Sequence, residues 1–321
     1  MLSRRHLRIR VLLALYSFYQ SDSNDIAQGE KELFKQLNKM HELFIWQLSL
    51  LTEIVAFARK RMEENKKKFF PTEEDLNPNT RFVDNRVVRW IEESREFNRF
   101  REAYKVNWAD QEEMIRKLYV QIRETDDYAQ YMSAPHDDFK NDREILIRVI
   151  LNVIDSSEIL QYFYEEKNIY WSDDFYTVNS LVIKALKAIK ESWPNDHPLP
   201  PMLKKGPEGD ENEDKLFMRD LFRKTIVHSD EYQQMIAAKV KNWEIDRVAL
   251  MDILILKMAI AELLEFPSIP VKVTLNEYID LAKMYSTPKS KIFVNGILDK
   301  MIGELKEAGK IKKTGRGLIE N

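Results

Sequence analysis

Four arginines, Arg4, Arg5, Arg8 and Arg10, precede the first acidic residue of the chain. Guanidinium groups at that density can neutralise phosphates, and the counterions released favour binding of a polyanion. Taken alone, the same residues read better as a solvated basic helix end. A basic tail, Lys310, Lys312, Lys313 and Arg316, closes the chain. Catalytic chemistry is harder to assemble. The five histidines, His6, His41, His136, His197 and His228, are scattered, and there is no cysteine. Thiolate metal sites, disulfides and cysteine nucleophiles are therefore excluded. His136-Asp137-Asp138 are adjacent on a loop and make poor tetrahedral ligands. No phosphate loop, dinucleotide motif or nucleophile elbow occurs. The chain reads as a non-enzyme with no metal and no cofactor.

Helices must position these groups. Of 321 residues, 32% are charged, 44% are hydrophobic and only 8 are glycine, which suits an all-α fold. The net charge of −3 hides basic ends and a compensating acidic middle, so a nucleic acid would meet local patches. Residues 4 to 20 read as a helix with Leu7, Val11, Ala14, Leu15 and Phe18 on its apolar face. Ser3-Arg4-Arg5 before Val11–Leu15 faintly resembles a twin-arginine signal. The apolar run is short, Tyr16, Ser17, Tyr19 and Gln20 interrupt it, and no small-residue cleavage site follows. No run approaches 18 uncharged apolar residues, so no membrane span is expected. Asp25 can cap a second helix whose pattern runs unbroken to about Arg61.

Further helices are predicted at Val83–Tyr104, Trp108–Met132, Arg143–Ile154, Ser157–Lys167 and Tyr176–Ser192. Their many aromatics, Trp90, Phe97, Phe100, Tyr104, Trp108, Tyr119, Tyr128 and Tyr131 among them, suit core packing; a base-stacking surface is the alternative. Residues 193 to 213 hold Pro, Gly and acids without periodicity and read as a linker. Val153–Glu158 with Trp171–Asp174 is similar to Ile226–Glu231 with Trp243–Asp246, which fits a worn repeat as well as it fits chance or convergent helix capping. From Asp214 the periodicity resumes: Lys215–Val227, a helix capped by Ser229, then Met251–Leu263. In the last of these, Asp252, Lys257 and Glu262 are five apart, each step turning about 140°, so they share no face. A helix without a polar face belongs at the centre of a bundle. Thr274 and Glu277 form a predicted capping box, and Thr287 with Pro288 is the predicted start of the last helix. That helix carries a stripe of Phe293, Ile297 and Met301, and its Gly296 suggests close approach of another backbone.

The stretch Ile269–Lys300 carries Ile269-Pro270, Asn276-Glu277, Ala282-Lys283 and Lys291-Ile-Phe-Val-Asn-Gly-Ile-Leu-Asp-Lys300. With the arginine-rich start ending in Ala14-Leu15-Tyr16-Ser17, the Trp243/Arg247 spacing and the Met251–Leu263 helix, it resembles the NusB family of transcription antitermination factors. The resemblance covers about 1–38 and 214–305. It implies an all-α, NusB-like double helical bundle with a large additional helical insert. The expected divisions are N-terminal helices at 1–40, an insert at 41–192, a linker at 193–213, a C-terminal bundle at 214–307 and a basic tail at 308–321.

The resemblance further implies a cytoplasmic, RNA-binding antitermination factor that loads onto single-stranded boxA-like RNA. Its partner would be NusE, the small-subunit ribosomal protein, and it would act on the RNA polymerase elongation complex indirectly. The positions matching the family's RNA contacts are Arg4, Arg5, His6, Arg8, Tyr16, Lys257, Lys289, Lys291 and Phe293. His6 and Lys257 stand where Arg is common, and Ala261 where Tyr is usual. Phe293 could instead pack in the core. Asp252 matches an acidic position on the expected NusE surface; a charge complementing the helix start is the alternative. Rival functions are an RNA-binding module of ribosomal RNA maturation and a purely structural helical adaptor.

Overall fold

The computed structural model describes residues 1–21, 24–135, 138–204, 212–240 and 248–319. Among these residues every regular element is helical. The chain divides into two compact units, one of Met1 with Gln36–Met202, the other of Leu2–Lys35 with Leu203–Asn321.

The helices, in order, are α1 (Arg4–Gln20), α2 (Ile26–Lys66), α3 (Glu73–Leu76), α4 (Arg86–Glu93), α5 (Arg95–Ala103), α6 (Glu112–Arg123), α7 (Asp126–Ser133), α8 (Phe139–Val149), α9 (Glu158–Lys167), α10 (Phe175–Ala188), α11 (Glu213–Val227), α12 (Ser229–Ala237), α13 (Leu250–Glu265), α14 (Val271–Tyr285) and α15 (Ser290–Glu307). The expected unbroken second helix is α2. Asp25 Oδ1 accepts from the Ala27 and Gln28 amides at its start. An 18-residue stretch of α2 is apolar enough to cross a membrane by length and composition, but 72% of it is buried within the protein. It is a core helix.

Three predicted helices are in fact broken. Val83–Tyr104 divides at Ser94, whose extended backbone ends α4 while its hydroxyl caps α5 through the Phe97 amide. Trp108–Met132 divides at Thr125, which caps α7 through the Tyr128 amide. Arg143–Ile154 ends in a π-helical segment, Ile150–Ile154. Apolar periodicity continues across all three breaks, so a short hydroxylated side chain or a widened turn is the only local mark of the boundary.

The 36–202 unit is built on an aromatic core. Trp108 stacks on Phe163 at 5.3 Å, meets Trp46 edge-on at 4.8 Å, and donates from Nε1 to Ser49 Oγ. Trp171 packs on Tyr164 and donates to the Lys39 carbonyl. The aromatics read from the sequence are buried or half-buried, so the core-packing reading holds for them. Asp142, almost fully buried, accepts from Arg86 Nε at 2.8 Å and from the Tyr131 hydroxyl at 2.8 Å, tying α4 and α7 to α8.

His41, on α2, has Nδ1 2.8 Å from the Tyr104 hydroxyl. Burial lowers its pKa, with Glu96 opposing. The unfolded imidazole, with a pKa of about 6.5, therefore takes up a proton before the folded one does. Stability from this group is whole above that value and is lost as pH falls through it towards the folded value. His41→Gln is expected to flatten part of the fall in urea midpoint between about pH 7.5 and 5.5. An identical pH dependence in the variant would remove His41 from the account.

In the second unit α13 is the centre. Every residue from Asp252 to Leu263 is buried, as a helix without a polar face requires. α1, α11, α12, α14 and α15 all pack on it. The Phe18 and Phe222 rings approach Gly29 so closely that a Cβ there would lie 2.8 Å from each. Gly296, by contrast, has no atom within 4 Å of a built Cβ, so the close approach expected there is absent. The tail folds back. Lys313 Nζ donates to the carbonyls of Glu262 and Phe266, completing the C-terminal turn of α13. Gly317 lies against Pro267, where a Cβ would stand 1.9 Å from the carbonyl oxygen.

Candidate nucleic-acid interface

A cleft of about 1180 Å³ opens beside the start of α1. Ser3 caps this helix by accepting from the His6 amide, and Arg4, Arg5 and Arg8 follow in its first turns. These three, with Lys272 and Arg316, supply the cleft's cationic lining, and His6 stands among them. Glu213, Asp220 and Glu277 line it too, above apolar surface from Phe217, Phe266, Ile269 and Val273.

Each arginine meets an acid. Arg4 Nη2 lies 2.7 Å from Glu213 and 3.6 Å from Asp214, and its side chain is 35% exposed. Arg5 donates from Nε and Nη2 to Glu277 and reaches Asp280 at 2.7 Å, yet stays 41% exposed. Its pKa is raised, first by the Glu277 hydrogen bond, with burial opposing. His6 Nδ1 is 2.6 Å from Ser3 Oγ.

Arg8 departs from expectation. It is almost fully buried and makes a two-pronged pair with Glu262, Nε–Oε2 at 2.7 Å and Nη2–Oε1 at 2.8 Å. Thr274 Oγ1 and Tyr278 OH donate to the same carboxylate. Burial alone would lower the Arg8 pKa, but Glu262 outweighs it and the pKa is raised. Arg8 is therefore a structural charge and not a phosphate ligand. The same network undoes the predicted capping box: α14 begins earlier, at Val271 behind Pro270, so Thr274 serves Glu262 and Glu277 serves Arg5.

Lys257 is likewise buried. Its Nζ donates to Ser229 Oγ at 2.8 Å and stands 5.5 Å from the Tyr19 ring centroid. Burial lowers its pKa, with Asp230 opposing. With 7% of it exposed, Lys257 offers no surface to an RNA phosphate. Ser229, expected to cap α12, instead receives Lys257 and the Tyr19 hydroxyl.

Asp252 is 5% exposed, and its Oδ2 accepts from Ser290 Oγ at 2.7 Å. A buried carboxylate so engaged is not a docking contact; it holds the start of α15. Thr287 does not cap that helix, which begins at Ser290; its amide donates to Ser290 Oγ instead. Lys289 and Lys291, on either side of Ser290, are exposed, and Phe293 is half-buried. Tyr16, 38% exposed, accepts from Gln20 and lies about 18 Å along α1 from Arg4.

The structure thus brings Arg4, Arg5, His6 and Arg8 to one cleft, groups Lys289, Lys291 and Phe293 with Asp252 at another helix start, and buries Lys257. Phe217, Glu213 and Glu277 are cleft residues that the sequence did not single out as a site. One signal was available: Glu262, on a helix without a polar face, had to find a buried cation. Trp243 and Arg247, and with them the Trp243–Asp246 segment of the possible repeat, lie outside the described residues, as do His136 and Asp137. Among the described residues no three His, Asp or Glu side chains are grouped to hold a metal ion.

Fold and cleft define an all-α protein with an arginine-lined, acid-balanced cleft. Residues 178–303 match the NusB family. The chain is 46% identical over 103 residues to the transcription antitermination protein NusB of Salinibacter ruber, covering 32% of this chain and 64% of that protein. It is 42% identical over 106 residues to the NusB of Chloroherpeton thalassium, covering 33% and 50%. It is 43% identical over 93 residues to the NusB of Geobacter sulfurreducens, covering 29% and 67%. The chain belongs to the NusB family. It spans half to two thirds of the length of these relatives. The family match begins within α10 and ends within α15, so the arginine-rich start lies outside it.

Proposed function

We propose that this protein is a non-enzymatic, cytoplasmic transcription antitermination factor that binds single-stranded, boxA-like RNA together with NusE and so acts on the RNA polymerase elongation complex. We further propose that residues 1–40 complete the NusB-like bundle of 214–307, with 41–192 a helical insert. The observation that carries the RNA reading is the arginine-rich start of α1 at the mouth of a large cleft, with Arg4 and Arg5 still 35% and 41% exposed. His6 and Tyr16 extend the interface along α1. Lys289 and Lys291, both exposed, supply phosphate contacts at the second patch, beside Phe293. Asp252 serves NusE or RNA only indirectly, by holding Ser290 between those lysines.

The test is the salt dependence of binding to boxA-like RNA. Replacing Arg5, Lys289 and Lys291 together by Ala is expected to flatten the slope of log K against log salt by about 0.7 for each phosphate no longer neutralised. NusE is expected to raise RNA affinity, and RNA to raise NusE affinity by the same factor. An unchanged slope in a folded variant, or a wild type that does not bind the RNA, sinks this reading in favour of a structural adaptor. RNA binding without any coupling to NusE favours a module of ribosomal RNA maturation.

A further inference from the structure

We propose that the cleft seats one unpaired nucleobase of the bound RNA on a stacked pair, the Arg4 guanidinium over the Phe217 ring; this rests on the RNA-binding reading above. The Arg4 guanidinium carbon stands 4.5 Å from the Phe217 centroid. One turn of α11 builds the seat. Glu213 and Asp214 take the edge of the guanidinium, and Phe217, one turn further on, lies beneath it. Asn212 caps that turn by accepting from the Asp214 and Lys215 amides, so the acids and the ring are held together. The ring is fixed from its other sides. Phe266 meets it edge-on at 5.3 Å, and the buried Arg8 stands 5.6 Å from its centroid.

The ring beneath Arg4 decides what the seat takes. Arg4 and Arg5 each meet two carboxylates, so charge does not separate them; the Phe217 ring under the Arg4 guanidinium does. A neutral base stacked there brings no further negative charge to Glu213 and Asp214. A guanidinium whose edge is occupied still offers its face, and arginine planes and aromatic rings are the surfaces on which unpaired bases stack. Arg4 and Phe217 both line the cleft, and Arg4 keeps 35% of its side chain exposed there. At about 1180 Å³ the cleft exceeds the roughly 300–1,000 Å³ typical of small-ligand pockets. Asn276 lines it as well and carries the donors and acceptors that a base edge needs. Arg4 is on this view a platform, in distinction from the phosphate contacts at Arg5, Lys289 and Lys291.

The experiment uses the full chain and boxA-like RNAs carrying 2-aminopurine at successive positions. One position is expected to be quenched on binding. Arg4→Lys keeps the charge and loses the plane; it is expected to abolish that quenching and to weaken binding roughly tenfold, within the range for loss of one stacked base. The salt slope should not change. An abasic nucleotide at the quenched position should weaken wild-type binding equally and add nothing to Arg4→Lys. Phe217→Leu should behave like Arg4→Lys if it folds; Arg4→Lys, altering a part-exposed side chain, decides the matter if it does not. AMP, CMP, GMP and UMP titrated alone separate an RNA base from a free nucleotide as occupant, the expected outcome being no competition at concentrations that saturate the RNA site. The proposal is overturned if quenching and affinity survive Arg4→Lys, or if a mononucleotide fills the cleft while RNA leaves it unquenched. Loss of the salt slope in the Arg5, Lys289 and Lys291 variant with no effect of Arg4→Lys would sink the stacking seat and leave the RNA-binding reading standing.

Discussion

Glu262→Ala is expected to destabilise the unit containing α13 by about 3–5 kcal/mol, the largest single effect in that unit. Glu262 is fully buried and satisfies three groups at once: Arg8 through two hydrogen bonds, Thr274 and Tyr278. Removing it leaves a guanidinium that cannot lose its proton inside a packed bundle. The nearest remaining acid, Glu277, lies 3.5 Å from Arg8 Nη1 and already serves Arg5. Urea unfolding followed by circular dichroism measures the loss. Removing both members, as Arg8→Met with Glu262→Leu, is expected to recover most of it, because an apolar pair carries no desolvation cost. If Glu262→Ala unfolds at the wild-type midpoint, the network is not a structural centre. The start of α1 should also loosen in Glu262→Ala, so RNA affinity should fall although no residue exposed in the cleft has changed.

Trp108→Ala is expected to cost the 36–202 unit about 3–5 kcal/mol. The ring touches Trp46, Phe163 and Tyr164, and its Nε1–H is the partner of the buried Ser49 hydroxyl. Trp108→Phe keeps most of the stacking and strands that hydroxyl, so its cost should be smaller, about 1–3 kcal/mol. Well below the unfolding midpoint, RNA affinity should be unchanged, because the partners of Arg4, Arg5 and Arg8 all lie in the other unit. An Ala variant as stable as the wild type would mean that the aromatic cluster is surface and not core, and would revive the base-stacking reading of the insert.

Much of the helical fold was legible because it rests on local periodicity. Leu7, Val11, Leu15 and Phe18 are one face of α1, and they are buried. α2 runs unbroken because no Pro or cap interrupts its pattern up to Lys66. The absence of a polar face around Asp252, Lys257 and Glu262 correctly placed α13 at the centre. The breaks at Ser94 and Thr125 were not legible. A hydroxyl caps a helix only when the backbone before it has turned out of line, and tertiary packing decides that.

The site was legible as charge and not as geometry. That the chain starts with arginines, lacks cysteine and matches NusB over Ile269–Lys300 is written in the order of residues alone. Which arginine faces solvent is not, because it depends on which carboxylates other helices bring. Glu262, 254 residues from Arg8, takes that side chain out of solvent, whereas Glu213 and Glu277 meet Arg4 and Arg5 at the surface and leave them part-exposed. Lys257 and Asp252, which match family positions, are buried partners of Ser229 and Ser290. The sequence determined helix faces and the inventory of charges, since both follow from neighbours a few residues apart. Tertiary structure alone decided which charges pair and which stay available, because Coulomb attraction and desolvation act between groups that are distant in the chain and adjacent in the fold.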